Sequence, residues 1–123
     1  LDLIGPKGAY EGGIIAPGVN LSIEALYMAA ARLPRIAVKP WQTDMPVLGT
    51  DTISAMQSGV FWGYVGMVEG LLERLRHSYG ADLPAIVTGG LAPLFADHID
   101  GPLVVDAHLT LKGLVRIHAQ NNI

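Results

Sequence analysis

Cysteine is absent from this chain of 123 residues, which excludes disulfides and thiolate chemistry and fits a reducing compartment. Charge is scarce: 15% of the residues carry it, and the net charge is −3. No basic stripe is available to release counterions from a phosphate backbone, so no nucleic-acid partner is expected. Arg32, Arg35 and Lys39 come nearest to a basic cluster, and they flank a proline-rich loop. A continuous apolar run long enough to span a bilayer is missing, as is a signal-peptide pattern, so no membrane partner and a cytoplasmic location are expected. Metal-ligand spacing is missing too. His77, His98, His108 and His118 form no pair three or four apart, so no metal site is expected and the histidines read as surface residues. Ser22, Ser54, Ser58 and Ser78 lack a nucleophile-elbow setting, and no glycine run ends in Lys-Ser or Lys-Thr.

What the chain does have is apolar material. Half of its residues are hydrophobic, enough for the core of one domain and in excess of what a monomer needs, which points to a large interface with another chain. Ala85-Ile86-Val87 is a short, wholly apolar strand that runs into Thr88-Gly89-Gly90. Such a strand fits a central parallel strand buried on both faces, and two glycines at its carboxyl end let a ligand lie against bare backbone. Ligands in open α/β sheets bind at that edge. A second glycine-marked strand end, Gly12-Gly13, precedes Ile14 through Gly18 and another helix.

The chain starts without methionine on strand-like Leu1-Asp2-Leu3-Ile4, and so reads as cut from something longer. The turn Gly5-Pro6-Lys7-Gly8 makes 1–16 a hairpin. A helix follows, capped by Asn20 or Ser22, with Ile23, Leu26, Tyr27, Ala30 and Leu33 on its apolar face and Leu33-Pro34 as its stop. Residues 35–50 form a long connection with one short strand around Ile36–Val38. A long helix then spans Ile53 to Tyr79, capped by Asp51 or Thr52, with Ile53, Met56, Val60, Tyr64, Met67, Leu71 and Leu75 as its apolar stripe. Strand 85–87, a helix over Ala92–His98, strand 102–106 and a helix over Leu111–Gln120 complete a β-β-α-α-β-α-β-α order. The class is α/β with antiparallel edge strands.

The long helix carries a second stripe, Gly59, Gly63, Gly66 and Gly70, spaced 4-3-4 and therefore on one face. Each glycine inside a helix costs roughly 1 kcal/mol against alanine, about 4 kcal/mol for the set. Close approach of another helix backbone would offset it, from the same chain or from a second copy. Glu11 reads as a strand-edge or turn residue and Asp106, at a strand end, as a cap. Thr52 is either an N-cap or a hydroxyl available to a neighbouring site.

Taken together, Tyr10 through Gly18, Ser22 through Leu26, Ala31-Arg32-Leu33-Pro34, Gly49 with Thr52, Ala55-Met56-Gln57-Ser58-Gly59, Thr88-Gly89-Gly90 and Leu109 through Leu114 resemble the type III pantothenate kinases. That family belongs to the acetate and sugar kinase, heat-shock ATPase and actin superfamily. The resemblance runs along the whole chain in order. It implies a ribonuclease H-like (actin-like ATPase) lobe with a mixed sheet and flanking helices. It also implies a homodimer and ATP-dependent phosphorylation of pantothenate to 4′-phosphopantothenate, the first step of coenzyme A synthesis, with Mg2+ and a monovalent cation, K+ or NH4+. Thr52 resembles the family threonine that contacts pantothenate from across the dimer. Thr88, Gly89 and Gly90 resemble the adenosine-side turn, and Gly12 and Gly13 the glycines lining the cleft between lobes, all on the ATP side. Where the family commonly has asparagine before the threonine, this chain has Asp51. The family's Asp-x-Gly-Thr motif, phosphate loop and catalytic aspartate have no counterpart here. Residues 1–123 are therefore expected to be the C-terminal lobe with its first strand and the N-terminal lobe missing, poorly folded or inactive alone. A catalytically inactive dimeric regulatory or binding module of the same fold is the alternative.

Overall fold

A computed structural model describes residues 1–30 and 32–122. Ala31, part of the Ala31-Arg32-Leu33-Pro34 segment, lies outside the described residues. The chain divides into two compact units, Leu1–Ala37 and Val38–Ile123.

In the first unit, β1 (Asp2–Ile4) pairs antiparallel with β2 (Tyr10–Gly13). The turn closes through Gly5 N–H to the Ala9 carbonyl at 2.8 Å and Gly8 N–H to the Gly5 carbonyl at 2.9 Å. The register slips between Leu3, opposite Gly12, and Ile4, opposite Tyr10, which leaves Glu11 as the bulged residue. Gly12 has φ +147°, in the range side chains avoid, so the bulge itself calls for glycine there. Helix α1 spans Val19–Ala29 and buries Val19 and Ile23. Its N-cap is Gly18, with no side-chain cap; Ser22, expected as a cap, instead lies one turn inside and donates its hydroxyl to the Gly18 carbonyl at 3.1 Å. The helix ends at Ala29, before the expected Leu33-Pro34. Arg35 returns to lie 4.3 Å over the Tyr27 ring and 3.0 Å from the Glu24 carboxylate. The strand expected at Ile36–Val38 does not form.

The second unit is built on α2, Thr52–Tyr79. It buries Met56, Ser58, Val60, Phe61, Val65 and Leu72. Of the expected stripe only Met56 and Val60 are buried; the core seam is rotated toward Phe61, Val65 and Leu72, and Ile53 is exposed. Aromatic packing turns it. Phe61 stacks on Phe95 with centroids 5.1 Å apart and on Trp41 at 5.3 Å, while Trp62 meets Trp41 edge-on at 5.4 Å and His98 at 5.6 Å. His98, expected at the surface, is part of this half-buried cluster.

Beyond α2, β3 (Ala85–Val87) and β4 (Leu103–Val105) pair in parallel, with Ala85 opposite Leu103, Ile86 opposite Val104 and Val87 opposite Val105. The connection between them holds α3 (Ala92–Phe95) and a 3-10 turn over Ala96–His98, and it buries Ala92, Phe95, Ala96 and Ile99. Helix α4 spans Leu109–Asn121. The order of elements is the expected one. The described strands form two separate pairs, one antiparallel and one parallel, not a continuous mixed sheet. Arg76 fastens the carboxyl end of α2 to this region. Its guanidinium donates to the carbonyls of Leu83 at 3.2 Å, Asp100 at 3.3 Å and Pro102 at 3.0 Å. No described helix is long and apolar enough to cross a membrane.

Candidate functional site

Two places in the second unit gather the residues of interest. One is the start of α2. Asp51, in extended conformation, is its N-cap and completes a capping box with Ser54. The Asp51 carboxylate accepts the Ser54 N–H at 2.9 Å and the Ser54 hydroxyl at 2.8 Å, and the same hydroxyl accepts the Asp51 N–H at 3.2 Å. The Ser54 backbone N–H foremost, then its hydroxyl, hold the Asp51 carboxyl below the usual carboxylate range. Capping therefore falls to Asp51, which leaves Thr52 as an exposed first helical residue not needed as the cap.

The loop ahead of α2 is pinned to it. Trp41 packs on Phe61 and Trp62, and the buried Ser58 hydroxyl donates to the Val47 carbonyl. Gly49 presses on the helix's first turn so closely that a Cβ there would stand 2.5 Å from the Ala55 Cα and from the Ser54 carbonyl carbon. Glycine at 49 is required by this approach of two backbones. None of these three anchors was legible in the sequence, because a tryptophan or glycine in a loop carries no sign of its distant partner.

The glycine stripe runs down α2 from there. No atom from another part of the described chain lies within 4 Å of where a Cβ would sit on Gly59, Gly63 or Gly66, and at Gly70 only Arg74 Nη1 approaches, at 3.4 Å. Packing against a helix of the same chain, one of the two explanations for the stripe, is thus not what covers it among the described residues.

The other place is the carboxyl edge of the parallel pair. Val87 leads into Thr88-Gly89-Gly90, all exposed, and Gly89 has φ +109°, which suits glycine alone. Beside it, the Asp106 N–H donates to the Val87 carbonyl at 2.9 Å. The Asp106 carboxylate accepts the His108 N–H at 3.0 Å and the Lys112 ammonium at 2.7 Å. Lys112 first, and the His108 N–H second, hold the Asp106 carboxyl below its usual range. Asp106 thus follows β4 and ties the approach to α4, but it is not the cap expected of it: the N-cap is His108, two residues on, and no side chain caps the helix. Gly12 and Gly13 belong to the first unit. There Gly13 is crowded, a Cβ coming within 2.9 Å of the Leu1 carbonyl and the Tyr10 hydroxyl. Among the described residues no group of three or more His, Asp or Glu side chains could hold a metal ion.

Comparison with known proteins shows the family. The sequence profile described as type III pantothenate kinase matches residues 1–74. A type III pantothenate kinase of Paramagnetospirillum magneticum is 52% identical over 122 residues, 98% of this chain and 45% of that protein. That of Rhodospirillum rubrum is 52% identical over 120 residues, 98% of this chain and 46% of its own length. That of Caulobacter vibrioides is 49% identical over 122 residues, 99% of this chain and 46% of its own length. The chain spans about half the length of the curated relatives it matches. With half of all positions identical from end to end, it belongs to the type III pantothenate kinase family.

Proposed function

We propose that the protein containing this chain phosphorylates pantothenate with ATP, giving 4′-phosphopantothenate and ADP, the first step of coenzyme A biosynthesis. The observation that carries this is the near-complete match, at about half of all positions, to proteins named for that activity. In the reaction the pantothenate hydroxyl oxygen forms a bond to the γ-phosphorus, the bond to ADP breaks, and the hydroxyl proton leaves to a base. The base is not assigned to any residue of this chain.

Thr88, Gly89 and Gly90 are read as the adenosine-side turn, a reading supported by their place at the carboxyl edge of a parallel pair and the open backbone at Gly89. Gly12 and Gly13 are read as lining the ATP cleft. Thr52 is read as a pantothenate contact, which its exposure and its release from capping support. The uncovered stripe of Gly59, Gly63, Gly66 and Gly70 supports a homodimer joined along α2, in which Thr52 of one subunit reaches the pantothenate of the other. The α/β arrangement is read as the C-terminal, ribonuclease H-like lobe of a cytoplasmic two-lobe kinase. Mg2+ and K+ or NH4+ belong to this reading of the reaction. The described residues offer no carboxylate set that fits a metal ion, so no step is drawn through one here.

The test is Thr52→Val in the native protein. Valine keeps the shape and removes the hydroxyl, so pantothenate binding should weaken by roughly 1–3 kcal/mol while the ATP KM holds. Unchanged pantothenate affinity overturns the role of Thr52. A native protein that releases no ADP from ATP with pantothenate, Mg2+ and K+ overturns the reaction and favours the inactive binding module.

A further inference from the structure

We propose that Lys112, held in position by Asp106, binds a phosphate group of the nucleotide at the carboxyl edge of the β3–β4 pair. This rests on the reading of Thr88–Gly90 as the ATP-side turn and extends it to a cationic residue outside that turn. Three observations carry it. First, Asp106 is bonded by its N–H to the carbonyl of Val87, the last residue of β3, at 2.9 Å. The residue that holds Lys112 is therefore attached to the very strand end from which the glycine turn departs.

Second, both carboxylate oxygens of Asp106 are committed, Oδ1 to the His108 N–H at 3.0 Å and Oδ2 to the Lys112 ammonium at 2.7 Å. The carboxylate is thereby fixed, and it fixes the ammonium in turn. Third, the Lys112 side chain is 64% exposed although it is paired, whereas that of Asp106 is 21% exposed. An ammonium has three N–H donors. Asp106 takes one, and the exposed side of the group keeps the others open to solvent and to an incoming anion.

The backbone of the glycine turn that leaves β3 is open as well, since no atom of another part of the described chain lies within 4 Å of a Cβ position at Gly89 or Gly90. A polyanion lying along that bare turn passes the fixed positive charge. Lys112 is thus a nucleotide-binding residue and Asp106 a positioning residue acting through it.

The experiment is titration of the native protein and of Lys112→Met, Lys112→Arg and Asp106→Asn with ADP and, separately, with adenosine, alongside thermal unfolding. For Lys112→Met the Kd for ADP should rise about tenfold or more, the loss of one charge-assisted hydrogen bond. Its adenosine Kd and melting temperature should stay as they were. Lys112→Arg should keep most of the ADP affinity, and Asp106→Asn should weaken ADP in the same direction by a smaller factor. An unchanged ADP Kd in Lys112→Met overturns the proposal. So does equal weakening for ADP and adenosine, because a phosphate contact cannot act on a ligand without phosphate. An Asp106→Asn protein with native ADP affinity overturns the positioning role. A native protein that binds no ADP overturns this inference together with the reading it rests on, whereas ADP binding without pantothenate phosphorylation overturns only the pantothenate half of that reading.

Discussion

Single glycines in this chain do different work, and the backbone around each decides which. Gly12 and Gly89 hold φ +147° and +109° with open space around them, so their requirement is conformational. Gly49 has an ordinary φ and no space, because the backbone of Ser54 and Ala55 occupies the position a Cβ would take. A methyl group there can be accommodated only by lifting the loop off α2. Gly49→Ala should therefore destabilise the protein by about 2–3 kcal/mol, in the range of overpacking a close backbone approach. Chemical denaturation measures it. Because Thr52, the proposed pantothenate contact, lies three residues on, the same variant should also lose pantothenate affinity, and a variant of native stability would show that the loop is not pinned.

Helix α2 is the element on which both the loop and the glycine stripe depend, and its ends are secured by different means. At its carboxyl end Arg76 donates to three backbone carbonyls, a fork that a lysine could not reproduce. At its amino end the Asp51–Ser54 capping box depends on charge. The folded-state pKa of Asp51 lies below its ordinary value, because Ser54 bonds favour the ionised carboxylate. Its contribution to stability is accordingly complete above the unfolded-state pKa of about 4 and is lost as pH falls through the lower folded-state value. Asp51→Ala should be less stable than the native protein at pH 7, and the two should converge as the pH drops below about 4. Unfolding transitions at neutral and acid pH check this, and a difference that persists in acid would point to a cap that works without charge.

For the molecule as a whole, the question is what covers the apolar and glycine surfaces left open. Ile86 and Val104, side by side in the parallel pair, are 59% and 61% exposed, and α4 buries none of its residues. Surfaces of this kind favour association. The glycine face of α2 allows the clearest test, because a side chain at Gly63 meets nothing in the described protomer. Gly63→Leu should therefore raise the helix propensity of α2 by roughly 0.8 kcal/mol in the protomer while preventing close pairing of two copies of the helix. Sedimentation should show a shift toward monomer without loss of helix content. A protein that remains dimeric, or a native protein that is monomeric, rules out pairing along this face.

Much of this organisation is local and so could be read from residues near one another in sequence. The order of elements, a cap at Asp51 or Thr52, the glycine turn closing β3 and the shared face of Gly59, Gly63, Gly66 and Gly70 all follow from spacing, capping chemistry and turn preference within a few residues; the structure decided the cap for Asp51. The whole-chain pattern of motifs also sufficed to identify the family. Other features depended on partners far along the chain. Phe61 packs in the core between Trp41 and Phe95, partners that no helical period reveals. Arg35 meets Tyr27 and Glu24 from beyond the end of α1, a contact that local sequence does not reveal. Tertiary structure alone placed Gly49 against Ala55 and Asp106, the partner of Lys112, at the end of β3, since a side chain's local sequence sets its chemistry while the fold sets its neighbours.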